Sequence, residues 1–176
     1  MIYRDRSGFT LHELMVVLII LGISSAIAIP SLLQFIARAQ LNSATFELAQ
    51  QFKQTRFDAM GEGSTPKTLC IRQSTGVEFT HINGTECEVV QSWQKVTAGV
   101  SIDTANSTLR TVKEIAGNGG TIYRASWADT QAGFGGSSGQ LGRLTLKTEW
   151  ITSKKCLFLF DVNGEWNIRE DKNCLR

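Results

Sequence analysis

The apolar positions of this chain follow two different patterns. From Leu14 to Ile29 they are nearly continuous, interrupted only by Gly22, Ser24 and Ser25. Past Pro30 they recur at threes and fours: Leu41, Ala44, Leu48, Phe52 and Ala59, with Phe46, Ala49, Phe57 and Met60 beside them. That spacing predicts a helix with a broad apolar face, and Arg38, Glu47, Lys53, Arg56 and Asp58 fill much of the rest. One helix is therefore expected from about Phe9, apolar all round in its first half and amphipathic in its second. Pro30 lacks a backbone donor, so a bend or local melting is expected between Gly22 and Pro30. The helix should stop at Gly61 or Gly63, with Pro66 confirming the end, which makes it on the order of 80 Å long.

From Thr68 the period drops to two. TLCIR and VEFTHI, joined by QSTG, read as a hairpin, and Asn83-Gly84 follows as a turn. GVSID, TLRTV, GTIYRASWA and LGRLTLKTEWI are further candidate strands, and CLFLFDV-NG-EWNIR is the clearest hairpin. In it Leu157 and Leu159 should point one way, Phe158 and Phe160 the other. A two-residue turn at Asn163-Gly164 would set Cys156 near Asp171, so Cys174 must fold back to reach Cys156. The predicted fold class is α+β, a long N-terminal helix packed through its amphipathic half on a C-terminal antiparallel sheet.

Composition narrows the function. The 176 residues suffice for one domain plus an appendage, and a net charge of +2 gives no strong electrostatic case for nucleic acid. His12 and His81 are far apart with no His/Cys cluster around either, so no metal or other cofactor is expected. Cys70, Cys87, Cys156 and Cys174 all follow the apolar run, and none forms a C-x-x-C pair. An even count beyond a membrane signal reads as disulfides in an oxidising compartment. Three pairings are possible. The local one closes two loops of similar length, each worth roughly 3 kcal/mol. A regular third strand after Asn83-Gly84 would hold Cys70 and Cys87 about 9–10 Å apart, too far to bond. Either residues 85–87 form an irregular loop, which is the favoured reading, or the pairing is different.

The N-terminus admits three readings. Arg4 and Arg6 precede the apolar run and should stay cytoplasmic, placing everything after Pro30 across the membrane. Ala26-Ile27-Ala28 could be the cleavage site of a secretory signal, but helical patterning continues past it. A plain membrane anchor from Phe9 to about Ala37 explains the hydrophobicity and leaves Glu13 without a purpose. That carboxylate at bilayer depth costs on the order of 2.5–3.5 kcal/mol, so a partner is needed.

The third reading rests on GFTLHELMVVLIILG, which resembles the N-terminus of type IV pilins and of type II secretion pseudopilins. The likeness lies in Gly8-Phe9, Thr10-Leu11, Glu13 five residues from the cut and Pro30 closing the run. It covers the first thirty or so residues; His12 departs from it. The resemblance implies that prepilin peptidase cuts between Gly8 and Phe9 and methylates the new amine of Phe9, the apolar segment being kept. It also implies that Glu13 pairs with an N-terminal amine, its own or that of a neighbouring subunit, and so fixes register on assembly. The boundaries would be a leader over 1–8, a helix over 9–62 with its membrane half over 9–37, and a β-rich head over 63–176. Implied partners are other pilin subunits, the prepilin peptidase, an inner-membrane assembly platform and membrane lipid. The chain would sit in the inner membrane as a single span with a periplasmic head, then move to a pilus or pseudopilus. A β head with two stapled loops suits the H-type pseudopilin and FimT-like minor pilin branch better than small major pilins.

Other motifs carry less. The glycine-rich Gly133–Gly142 lacks the Lys-Ser/Thr of a phosphate loop. Asn83-Gly84-Thr85 and Asn106-Ser107-Thr108 match a glycosylation sequon that is incidental in such a filament protein. No nucleophile–base arrangement is arguable, and no enzyme is expected. DNA-binding relatives carry Gly-Arg-x-Arg near the C-terminus, where this chain has Gly164-Glu165-Trp166; Gly142-Arg143-Leu144-Thr145 lacks the second arginine. The alternatives to a filament subunit are an exported or anchored binding module with a conventional signal, and a DNA-uptake minor pilin.

Overall fold

The computed structural model describes residues 10–61, 65–113, 120–127, 142–159 and 166–174. The chain divides into two compact units, residues 1–36 and 37–176. Helix α1, Leu11–Gly61, begins in the first unit and ends in the second.

In the first unit every described residue, from Thr10 to Ile36, is exposed. The helix is unbroken through Gly22 and Pro30, so the local melting expected there is not found. A proline removes only its own bond to the preceding turn, and the residues on either side keep theirs. Next to the proline, the Ser31 hydroxyl donates to the Ala28 carbonyl at 2.8 Å.

The second unit carries two antiparallel sheets. The first contains β1 (Lys67–Gln73), β2 (Val77–Asn83), β3 (Gln94–Lys95), β5 (Thr111–Lys113) and β6 (Thr121–Trp127), in the order β3-β2-β1-β6-β5. The second contains β4 (Ser101–Ile102), β7 (Gly142–Lys147), β8 (Lys154–Leu159) and β9 (Trp166–Glu170), in the order β4-β7-β8-β9. Alternation along the strands sorts their residues by face. Leu69 and Ile71 of β1, Leu144 and Leu146 of β7, and Leu157 and Leu159 of β8 join Leu41, Leu48 and Phe52 of α1 in one core. Phe52 meets Trp127 edge-on, ring centroids 6.1 Å apart.

The alternate residues build two smaller clusters on the faces turned away from that core. Cys70 and Cys87 pack with Ile122 on one sheet, and Cys156 and Cys174 with Phe158 on the other. Cys87 opens a 3₁₀ turn, Cys87–Val89, rather than a third regular strand. It bonds Cys70 with the Cα atoms 5.8 Å apart. Cys156 bonds Cys174 at 5.7 Å, through a second 3₁₀ turn, Asp171–Cys174. Here the register differs from the sequence expectation: Cys156 lies opposite Arg169, not Asp171. Leu159 pairs with Trp166, so the pairing is centred one residue before the Asn163-Gly164 midpoint; Phe160 and Asn163-Gly164 lie outside the described residues. The slip is by two residues and therefore leaves the faces unchanged.

The second half of α1 is also narrower in its apolar contact than expected. Ala37, Leu41, Ala44, Leu48, Ala49, Phe52 and Ala59 are buried, whereas Phe46, Phe57 and Met60 are exposed, Phe57 by 72%. At about 100° per residue Phe46 and Phe57 fall on the opposite side of the helix from Leu41, Leu48 and Phe52, and Met60 on its flank. Polar side chains flank the buried stripe. His81 of β2 bridges to Thr55 and Gln51 of α1, at 2.8 Å in both cases. Glu47 receives the Thr97 N–H at 3.4 Å and its hydroxyl at 3.3 Å. Beside it Gly99, at φ +82°, passes so near Gln40 that a Cβ would stand 2.7 Å from its Oε1. The left-handed backbone there favours glycine.

Candidate functional site

The start of α1 is organised around Glu13. Thr10 is the residue before the helix, and Glu13 is its third residue. The Glu13 carboxylate Oε2 accepts the Thr10 backbone N–H at 2.9 Å and the Thr10 hydroxyl at 2.9 Å. The Glu13 N–H in turn donates to Thr10 Oγ1 at 3.3 Å. This reciprocal arrangement is a capping box, which satisfies donors that the first turn of a helix otherwise leaves open. Its signal stood in the sequence as Thr-x-x-Glu, and reading Glu13 only as a charge needing a cation overlooked it. A cap of this kind contributes about 0.5–2 kcal/mol. That is less than the roughly 2.5–3.5 kcal/mol for a carboxylate at bilayer depth, so the cap alone does not offset burial. Gly8 and Phe9 lie outside the described residues, and His12 makes no polar contact among the described residues.

The surface that follows is apolar on every side. From Leu14 to Ile36 all the large hydrophobic side chains are exposed, Ile27 by 75%. Burying each one gains roughly 1.5–3 kcal/mol, so together they exceed the whole stability of an ordinary domain, about 5–15 kcal/mol. Among the described residues nothing covers them. Of the described helices, α1 alone is long and apolar enough to cross a membrane. An exposed apolar surface of this extent marks an interaction surface.

The head offers little chemistry. Among the described residues no three His, Cys, Asp or Glu side chains gather as a metal site. The late basic residues are largely tied into the fold. Arg143 is buried, donates from Nε to the Asn106 carbonyl at 2.7 Å and lies over Phe158, as does Arg169 from the neighbouring strand. Lys154 bonds Asp103 at 2.6 Å, and Lys155 pairs with Glu170. Burial alone would raise the Asp103 carboxyl, but bonds from Lys154 and Asn106 outweigh it and hold the group below its ordinary value. Asp171 is likewise held low, by the Lys154 N–H and the Ser153 hydroxyl. Partial desolvation lowers His81 despite the nearby Asp58. Both sequon asparagines serve the fold: Asn83 accepts from Lys67 at 2.7 Å, and Asn106 donates to Asp103 at 2.8 Å.

Residues 3–29 match the family model described as the prokaryotic N-terminal methylation motif. The chain is 44% identical over 63 residues to fimbrial protein Q of Moraxella bovis, covering 35% of this chain and 39% of that protein. It is 39% identical over 82 residues to the type IV major alpha-pilin of Moraxella bovis, covering 46% and 50%. Against the fimbrial protein EcpC of Eikenella corrodens it is 47% identical over 49 residues, covering 28% and 31%. The chain thus spans half or less of the length of these relatives. No solved structure matches. Glu13, its cap and the first part of the exposed apolar surface all lie inside the matched motif.

Proposed function

We propose that this chain, which carries the N-terminal methylation motif of type IV pilins, is a structural subunit of a pilus-type filament. The observation that carries the reading is the fully exposed apolar helix headed by the capped carboxylate of Glu13. Prepilin peptidase cuts between Gly8 and Phe9 and methylates the Phe9 amine. The mature chain waits in the inner membrane as a single span, its head on the periplasmic side, where the two disulfides can form. An assembly platform then moves it from lipid into the filament, so that one apolar surface serves two apolar environments in turn. The Phe9 amine of a neighbouring subunit supplies the cation that the cap lacks. A buried charge left without that partner is strongly disfavoured, so wrong registers are rejected. Phe46, Phe57 and Met60 extend the outward apolar stripe along the second half of α1 and serve as further helix–helix contact. The chain acts as a structural protein, not as an enzyme.

The fold, an α1 capped by two small stapled sheets, favours a minor position in a pilus or in a type II secretion pseudopilus of the H-type or FimT-like branch. DNA uptake is the weaker reading, because Arg143, Lys154 and Lys155 are engaged within the head.

The test is the N-terminus and intact mass of the native protein, taken separately from membranes and from sheared surface filaments. A chain beginning at methylated Phe9 is expected in both. A start at Ile29, or an intact Met1, would make Glu13 irrelevant and leave an exported binding module as the better account.

A further inference from the structure

Outside α1, the large hydrophobic side chains left exposed among the described residues are Val89 and Trp150, the latter by 64%. Trp150 follows the end of β7, with Glu149 before it, and both line a cavity of about 190 Å³ with Gln73, Thr75 and Ser101. That volume is below the roughly 300–1,000 Å³ of ordinary small-molecule pockets and suits the end of one side chain. Glu149 is the only charged residue among the described residues that line it. Neither the Glu149 carboxylate nor the Trp150 ring makes a hydrogen bond, ion pair or ring contact among the described residues.

The same second unit contains a completed version of this pair. The Arg72 guanidinium lies over the Trp93 ring, 4.2 Å from its centroid, and holds the Glu78 carboxylate at 2.9 Å. One planar cation thereby satisfies an indole face and a carboxylate together, a task that guanidinium geometry suits better than a compact ammonium. Trp150 and Glu149 supply the indole and the carboxylate of such a trio and lack the arginine.

Most described arginines are engaged. Arg124 and Arg143 donate to the Thr85 and Asn106 carbonyls, Arg169 lies over Phe158, and Arg38 acts on Asp171. Arg56 is half-buried on α1. Arg110 is exposed, and its guanidinium makes no hydrogen bond, ion pair or ring contact among the described residues. Its neighbour Leu109 fixes its place: the Leu109 N–H donates to the Arg143 carbonyl, near the start of β7, at 3.1 Å. Trp150 follows the other end of that strand, and the stretch from Arg143 to Lys147 spans about 13 Å.

We infer that Trp150 and Glu149 of one copy of this chain receive the Arg110 guanidinium of the next copy. The cation stacks on the indole and bonds the carboxylate, as Arg72 does between Trp93 and Glu78. Giver and receiver lie at opposite ends of β7, so the contact joins two different patches head to tail. Such contacts need not close on themselves, which is what an open filament requires. The inference rests on the filament reading proposed above and adds to it a contact between heads.

The test is self-association of the full chain in detergent micelles, followed by sedimentation velocity over a range of protein concentrations. Arg110→Glu and Glu149→Arg should each weaken association roughly tenfold, because each brings like charges together. Combining the two in one chain should return it to within about threefold of wild type, a rescue that damaged folding would not give. Trp150→Ala should weaken it by roughly tenfold as well. A wild type that stays monomeric, single variants that associate like wild type, or a double variant without recovery each overturns the inference. So does a Trp150 indole N–H signal that moves with methyl glucoside and not with N-acetyl-arginine methylamide, which gives the cavity to a sugar. If copies associate in this charge-dependent way but the chain is missing from sheared filaments, the contact stands and the filament reading fails. If the chain enters filaments and the single charge variants enter and associate like wild type, the contact alone fails.

Discussion

The two halves of α1 are the same secondary structure with opposite dependence on the rest of the chain. Between Leu11 and Ile36 no side chain is buried, while between Ala37 and Ala59 a stripe from Ala37 to Ala59 is sealed against two sheets. The first half is apolar on every side, and among the described residues none covers it. The second half is apolar on one stripe for the chain's own sheets, with Phe46 and Phe57 exposed on the opposite side and Met60 exposed on the flank. Hydrophobicity alone does not distinguish these roles. What distinguishes them is whether the same chain brings a partner to that face.

The contrast can be broken most strongly at Phe52, which is buried against Trp127. Phe52→Ala should destabilise the head by about 3–5 kcal/mol in urea unfolding, through lost transfer and a cavity. Phe57→Ala, on the exposed stripe of the same helix, should stay within about 0.5 kcal/mol. Equal losses at the two positions would refute the assignment of faces. Next in size is the staple on the second sheet. Removing Cys156–Cys174 by the paired substitutions Cys156→Ser and Cys174→Ser should cost roughly 3 kcal/mol and leave helix insertion in membranes unchanged, read by unfolding and by membrane fractionation.

The smallest effect concerns pH. His81 titrates below its ordinary value of 6.5, so the unfolded chain binds that proton more readily than the folded one. Its contribution is complete above about 6.5 and falls as the pH drops from there towards the folded value. Asp103 and Asp171 are held below their ordinary 3.8, so theirs is complete above that value and is lost as the pH falls through the lower folded values. Urea midpoints should therefore decline in two steps on acidification. His81→Gln should abolish the first step and keep the second; a midpoint that rises between pH 7 and pH 5 would contradict the His81 assignment.

Much of this organisation was legible beforehand, for identifiable reasons. A long apolar run, a persisting helical period and alternating strands are local signals, and they foretold α1, the β1–β2 hairpin and the β8–β9 pair. Leu157 and Leu159 facing away from Phe158 followed from pleat geometry alone. Three things were not readable. The outward turn of Phe57 depends on which stripe the sheets occupy, a tertiary choice. The β8–β9 register is displaced by two residues from the one its Asn-Gly dipeptide suggested, Cys156 facing Arg169. The split of the head into two sheets depends on long-range pairing of β1 with β6 and of β4 with β7. At the candidate site, Glu13 is conspicuous in the sequence as a charge, whereas its bond to Thr10 is carried only by the Thr-x-x-Glu spacing.

That bond now permits the most direct test of the central claim, that Glu13 acts through its charge when subunits meet. Glutamine at the third position of a helix still completes a capping box, so Glu13→Gln keeps the cap and removes the charge. The measurement is the amount of Glu13→Gln protein in sheared filaments relative to wild type, with cleavage at Gly8 checked by mass. The account predicts normal cleavage and membrane insertion with a severe deficit in filaments. Incorporation at the wild-type level would show that Glu13 serves only as a helix cap.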